Sequence, residues 1–226
     1  MNNGYGTRPP SVRRQRLRAA LAGPGPIVAP GVHDLISVRL AERAGFETLF
    51  MSGYGVVAAA LGLPDAGLAN GTDMLDRVRQ MALASEAALI CDADTGYGGL
   101  INVMHTVRGY ERAGAAAIQL EDQVYPKRCG HMQGRKVVPA AEMEARIKVA
   151  LDTREDAGTV IIAAVGPTNT RFASAQACAD AYGALGEGRL PTGPCYPFAD
   201  FSRLMGFDWV ERFDARYRTL DEEGRT

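Results

Sequence analysis

The sequence predicts an α/β chain of parallel βα units, and a repeated (β/α) barrel rather than a single doubly wound sheet. Three observations carry that expectation. From Pro26 onward, short apolar β-prone runs alternate with longer helical patterns. The first four runs lead directly into polar or glycine-rich residues. The step Arg-Ala-Gly, a helix stop followed by a strand, occurs at Arg43-Ala44-Gly45 and again at Arg112-Ala113-Gly114, as successive barrel units would require.

Residues 1–25 read as a basic leader and first helix. Arg8, Arg13, Arg14, Arg16 and Arg18 all precede the first acidic residue, Asp34. Such a start has the composition of an organellar transit segment. The apolar stretch at 17–21 is too short for a secretory core, and 24–28 reads as the approach to a strand, so the cytoplasm is the expected location. Strands are expected at 27–29, 48–51, 88–91, 117–120 and 160–163, with helices at 35–44, 73–86, 103–113 and 141–151. The barrel domain covers 26–185. Past Ala163 the cadence fails: an Ala-rich helix at about 172–185, a Gly/Pro-rich link at 186–197 and an amphipathic segment at 198–217 follow. The stretch 186–226 is therefore a linker and C-terminal helical tail.

With 226 residues, 46% of them hydrophobic, the chain can bury one sizeable core. A formal net charge of −1 supplies no long-range attraction for nucleic acid or an anionic membrane, so a small molecule is the expected partner. No apolar run approaches the roughly 20 residues of a membrane span. Cys91, Cys129, Cys178 and Cys195 are too scattered for a zinc knuckle or a disulfide framework. A special cysteine here would be a reactive thiol.

The two carboxylates of Asp92-Ala93-Asp94 project to one side of a strand end. Held that close, they need a cation or a shared proton, and a hard divalent ion suits oxygen ligands. Glu121 and Asp122 end the next strand and Asp65 lies in the loop after the second, so several acids converge on one mouth. The competing structural reading makes such aspartates helix caps and turn acceptors. In Lys127-Arg128-Cys129-Gly130-His131, two cations and an imidazole should lower the thiol pKa. Ser52-Gly53-Tyr54-Gly55 offers backbone N–H groups to an oxyanion. Residues 53–58 also match the dinucleotide pattern G-x-G-x-x-A, the one feature favouring a nucleotide-dependent oxidoreductase.

Together with Pro30-Gly31-Val32-His33-Asp34, Leu63-Pro64-Asp65, Asp92-Ala93-Asp94-Thr95-Gly96-Tyr97-Gly98 and Glu121-Asp122-Gln123, these strings resemble the isocitrate lyase and phosphoenolpyruvate mutase superfamily, from about 26 to 163. The resemblance implies a TIM-type (β/α)8 barrel and a Mg²⁺ site, with Mn²⁺ as an alternative ion. Asp94 would be the direct ligand, and Asp92, Glu121 and Asp65 would hold metal-bound waters. Ser52, Gly53 and Tyr54 would grip the substrate carboxylate, with Asp92 and Gly130 beside them. Cys129, tuned by Lys127, Arg128 and His131, is similar to the proton donor of the methylisocitrate lyase branch. The implied function is carbon–carbon cleavage of a small 2-hydroxy or 2-oxo di- or tricarboxylate through an enolate. A phosphonate-metabolising mutase, an oxaloacetate-type hydrolase or decarboxylase, or a catalytically impaired remnant are the alternatives. Where family members carry an Arg-Thr-Asp/Glu-Ala string after strand five, this chain has Ala164-Val165-Gly166. Strands six and seven read as missing, which makes the expected barrel incomplete. The resemblance also implies a homo-oligomer assembled through the C-terminal helices.

Overall fold

A computed structural model describes residues 8–127, 136–163, 179–180, 182–184, 187, 189, 196–205, 208–212 and 216. Its centre is a parallel sheet of five strands in sequential order: β1 (Gly31–Val32), β2 (Thr48–Met51), β3 (Ala88–Asp92), β4 (Ala117–Leu120) and β5 (Val160–Ala163). Sequential parallel neighbours require a crossover at every step. Helices α2 (Leu35–Arg43), α3 (Gly53–Leu61), α4 (Gly71–Ala84), α5 (Leu100–Ala113) and α6 (Ala140–Thr153) supply them, after an initial α1 (Pro10–Leu21).

The period of two along each strand divides the apolar residues into two bodies. Leu49, Met51, Leu89, Cys91, Ile118 and Leu120 pack outward with Val38, Val78, Val103 and Val107 of the helices. Ala88 and Ala117 face the other way, joined by Ile90, Val160, Ile162, Ile27 and Leu17 of α1. This inner face leads to the acidic strand ends, because Asp92 and Glu121 continue its alternation.

The first strand lies later than the apolar run suggested. Ile27 joins the inner cluster, but the ladder starts where Phe50 N donates to Pro30 O (3.0 Å) and Ser52 N to Val32 O (3.1 Å). Pro26 and Pro30, which bracket 27–29, have no N–H to donate to a ladder.

The basic start is structural. Arg13 Nη1 donates to the carbonyls of Ala82 (2.8 Å) and Ser85 (3.1 Å) at the end of α4. Arg14 donates to Ala115 O (3.0 Å) and Glu111 O (2.6 Å) and pairs with Asp156 at 2.8 Å. Both guanidiniums thus serve the orphan carbonyls at helix C-termini. Glu111, only 4% exposed, works from the other side: it accepts from Glu155 N (2.7 Å), Asp156 N (3.0 Å) and Thr159 Oγ1 (2.6 Å), anchoring the turn before β5. Glu111→Ala would leave three donors unmet, with an expected loss of roughly 2–4 kcal/mol of stability. Urea unfolding checks this, and a change below about 0.5 kcal/mol would show that water replaces the carboxylate.

The described tail includes α7 (Phe198–Leu204), none of whose residues is buried, and further helical residues at 208–212. Among the described residues, no helix is long and apolar enough to cross a membrane.

Candidate active site

The carboxyl ends of β2, β3 and β4 converge on a cluster of charge. Strand β3 delivers Asp92, and the chain then turns sharply: Asp94 has φ +49° and Tyr97 φ +60°. Left-handed backbone is tolerable for Asp and unusual for Tyr. Three bonds hold the turn. Asp94 N donates to Asp92 Oδ1 (2.9 Å), Gly96 N to Ala93 O (2.9 Å), and Glu121 N to Asp94 O (2.7 Å). The last ties the two acidic strand ends together. One ligand atom from each of Asp92, Asp94 and Glu121 falls within 4.8 Å of the others.

Asp65, from the loop between α3 and α4, and Lys127 close the cluster. Lys127 Nζ lies 2.8 Å from Asp65 Oδ2 and is also ion-paired with Asp94 Oδ1. All four of Asp65, Asp92, Asp94 and Lys127 are buried. Burial, reinforced by Asp92, pushes the Asp94 carboxyl up to about 8 against the pull of Lys127. Burial likewise raises Asp92 and Glu121. It pulls the Lys127 ammonium down, but Asp92, Asp94 and Asp65 more than offset it and hold the pKa above the ordinary lysine range. One ammonium therefore leaves these carboxylates under-compensated.

Ser52, Gly53 and Tyr54 stand beside Asp92 at the start of α3. The Ser52 hydroxyl caps the helix, accepting from Gly55 N (3.3 Å), and Gly53 N donates to Asp92 Oδ2 (3.2 Å). The dinucleotide-like glycines are explained by close approach. A Cβ on Gly53 would collide with the Asp92 carboxylate, and one on Gly55 would come within 2.7 Å of the His33 Cβ. Asp92 performs the turn role of the structural reading and belongs to the cluster as well.

Of the predicted residues, the structure brings together Ser52, Gly53, Tyr54, Asp65, Asp92, Asp94, Glu121 and Lys127. Asp122 is exposed, since strand alternation sends it away from Glu121. Arg128, Cys129, Gly130 and His131 lie outside the described residues. Their stretch leaves and returns through a pinned base, with Val124 N donating to Lys136 O (2.9 Å) and Val138 N to Asp122 O (2.8 Å).

Several supporting residues escaped sequence reasoning. Gln123 Nε2 donates to Glu121 Oε2 at 2.7 Å and orients it. Arg146 of α6, 5% exposed, donates to the carbonyls of Glu121 (3.2 Å) and Gln123 (3.1 Å). Tyr110 OH donates to Asp92 O at 3.3 Å. Gln119 is buried one alternation below Glu121. The spacing Gln119-x-Glu121-x-Gln123 was the available signal; Arg146 and Tyr110 sit in helices without any. A cavity of about 470 Å³ lies between α4 and α5, lined by Asn70, Tyr97, His105 and Tyr110 among others. None of the predicted site residues lines it, so the carboxylate mouth is the candidate site.

The family model described as phosphoenolpyruvate phosphomutase matches residues 17–182. The chain belongs to this family. It is 46% identical to 2,3-dimethylmalate lyase from Eubacterium barkeri over 156 residues, covering 69% of this chain and 54% of the relative. It is 41% identical to a probable 2-methylisocitrate lyase from Corynebacterium glutamicum over 196 residues, covering 86% of this chain and 64% of that one. The solved phosphoenolpyruvate phosphomutase from Streptomyces platensis subsp. rosaceus superposes with a TM-score of 0.81 at 25% identity, over 90% of this chain and 99% of that one. The five parallel strands and their helices thus fit the family's barrel-like fold. In sequence, the chain spans less than two thirds of the curated relatives it matches.

Proposed function

We propose that the chain carries the metal and carboxylate half of a Mg²⁺-dependent carbon–carbon lyase. Its substrate is a small 2-hydroxy or 2-oxo di- or tricarboxylate, of the 2-methylisocitrate kind. The observation that carries this reading is the convergence of Asp92, Asp94 and Glu121 within 4.8 Å at adjacent strand ends. The similarity to two lyases supports the reaction class.

An all-oxygen, acidic donor set fits Mg²⁺ or Mn²⁺ and not a soft ion. Asp94 would hold it directly, with Asp92, Glu121 and Asp65 on its waters. When bound, the ion would polarise the substrate's 2-oxygen and stabilise the alkoxide formed there before the C–C bond breaks. The backbone around Ser52, Gly53 and Tyr54 binds the carboxylate and fixes which bond faces the cluster. The 2-hydroxyl gives its proton to water, the C–C bond then breaks so that this C–O group becomes the carbonyl of one product, and the bonding pair is left on the carbon of the other. Cys129 gives its proton to that carbon, its thiol pKa lowered by Lys127, Arg128 and His131.

A second reading, an impaired remnant, is favoured by Ala164-Val165-Gly166 where the family places a substrate-binding arginine. On our reading, strands six and seven of the (β/α)8 barrel are missing after about 164. The half-buried β5 at one edge of the described sheet and the C-terminal helices would then seek a second copy of the chain. The test is turnover of 2-methylisocitrate, 2,3-dimethylmalate, isocitrate and oxaloacetate, with Mg²⁺ and with chelator, alongside light scattering. Metal-dependent cleavage of one acid at roughly 1–10³ s⁻¹ supports the lyase. Metal binding without turnover of any supports the remnant, and turnover that survives chelation overturns the metal role.

A further inference from the structure

We propose that the Lys127 ammonium stands in the place of the divalent ion, as an internal counter-ion that metal binding must expel. The inference rests on the metal reading above and goes beyond it. Four acids surround this one cation, and its place among them is central rather than peripheral. Nζ touches Asp65 and Asp94, and the charges of Asp92 and Glu121 also act on it. A lysine whose task was a single structural ion pair would not need four carboxylates, nor burial to 4% exposure at the functional end of a sheet.

The contact with Asp94 decides between coexistence and exchange. Asp94 Oδ1 already carries the ammonium. An ion ligated by this carboxylate would lie close to Nζ in a buried site, where like charges repel strongly. Asp94 is also the acid fastened to both neighbouring strand ends, through Asp92 Oδ1 and Glu121 N. Lys127 sits beyond the last described bridge of its stretch, Gln123 with Val137. The cheaper adjustment is for the flexible lysine side chain to leave. Metal-free protein would thus keep its carboxylates partly neutralised, and metal affinity would be reduced by the cost of expelling the ammonium.

The test needs no variant for its first arm. The chain has three lysines, Lys127, Lys136 and Lys148, and the last two are exposed. Acetylation by a water-soluble N-hydroxysuccinimide ester, followed by peptide mass spectrometry, reads each one. Lys127 should react slowly without metal and at least about tenfold faster in saturating Mg²⁺, while Lys136 and Lys148 stay constant as internal references. The second arm is calorimetric titration with Mg²⁺ of wild type and Lys127→Met, which should bind at least about tenfold more tightly. If wild type binds Mg²⁺ but Lys127 stays protected and Lys127→Met gains nothing, the exchange is wrong and the metal site stands. If neither protein binds Mg²⁺, the metal reading fails and the exchange falls with it.

Discussion

Asp94→Asn is expected to weaken Mg²⁺ binding by more than about 100-fold while leaving the fold intact. Losing an outer-sphere partner costs a metal site roughly 10–100-fold, and a direct ligand should cost more. Asparagine is the informative replacement because it keeps the side-chain shape and tolerates the left-handed φ of +49°. Alanine would add backbone strain to the lost charge and confuse the two. The substitution also removes a carboxylate that burial and Asp92 push up to about 8, so metal-free stability should hold or rise. Titration calorimetry and a thermal melt separate the effects. Equal Mg²⁺ affinity in both proteins would remove Asp94 from the metal site.

Cys129→Ser is expected to lower kcat by about 10²–10⁴-fold with little change in KM, for whichever acid the chain cleaves. Proton donation acts in the transition state, so its loss leaves binding largely untouched. A serine hydroxyl has nearly the size of the thiol but is far too weak an acid to replace it. On the proposed reading, Arg128 and His131 would lower the thiol pKa, and Lys127 would contribute only while its charge is near. Steady-state kinetics on wild type and variant decide the point. Unchanged turnover would make Cys129 a packing residue.

What was legible in the sequence follows from periodicity and from residues with one dominant chemistry. Strands β2 to β5 and helices α2, α4, α5 and α6 fall where alternation and helix stops placed them, within two or three residues at each end. The acid positions could be read because several carboxylates fall at neighbouring strand ends, and because Asp92-x-Asp94 fixes a shared face. The first strand could not, since the ladder begins past the apolar run and only pairing with β2 shows where.

By itself, the sequence determined an α/β chain with acids at the ends of neighbouring strands and a thiol among cations. Tertiary structure alone decided how those charges balance. Lys127 and Asp65 stand 62 positions apart, yet their side chains meet at 2.8 Å. The same holds for Arg14 on Asp156 and Arg146 on the end of β4. The acidic strand ends announce themselves locally, by alternation along β3 and β4. The identity of the cation that compensates a buried carboxylate does not, because the Coulomb energy depends on distance and burial in space, and both are set only once the sheet has brought remote loops together.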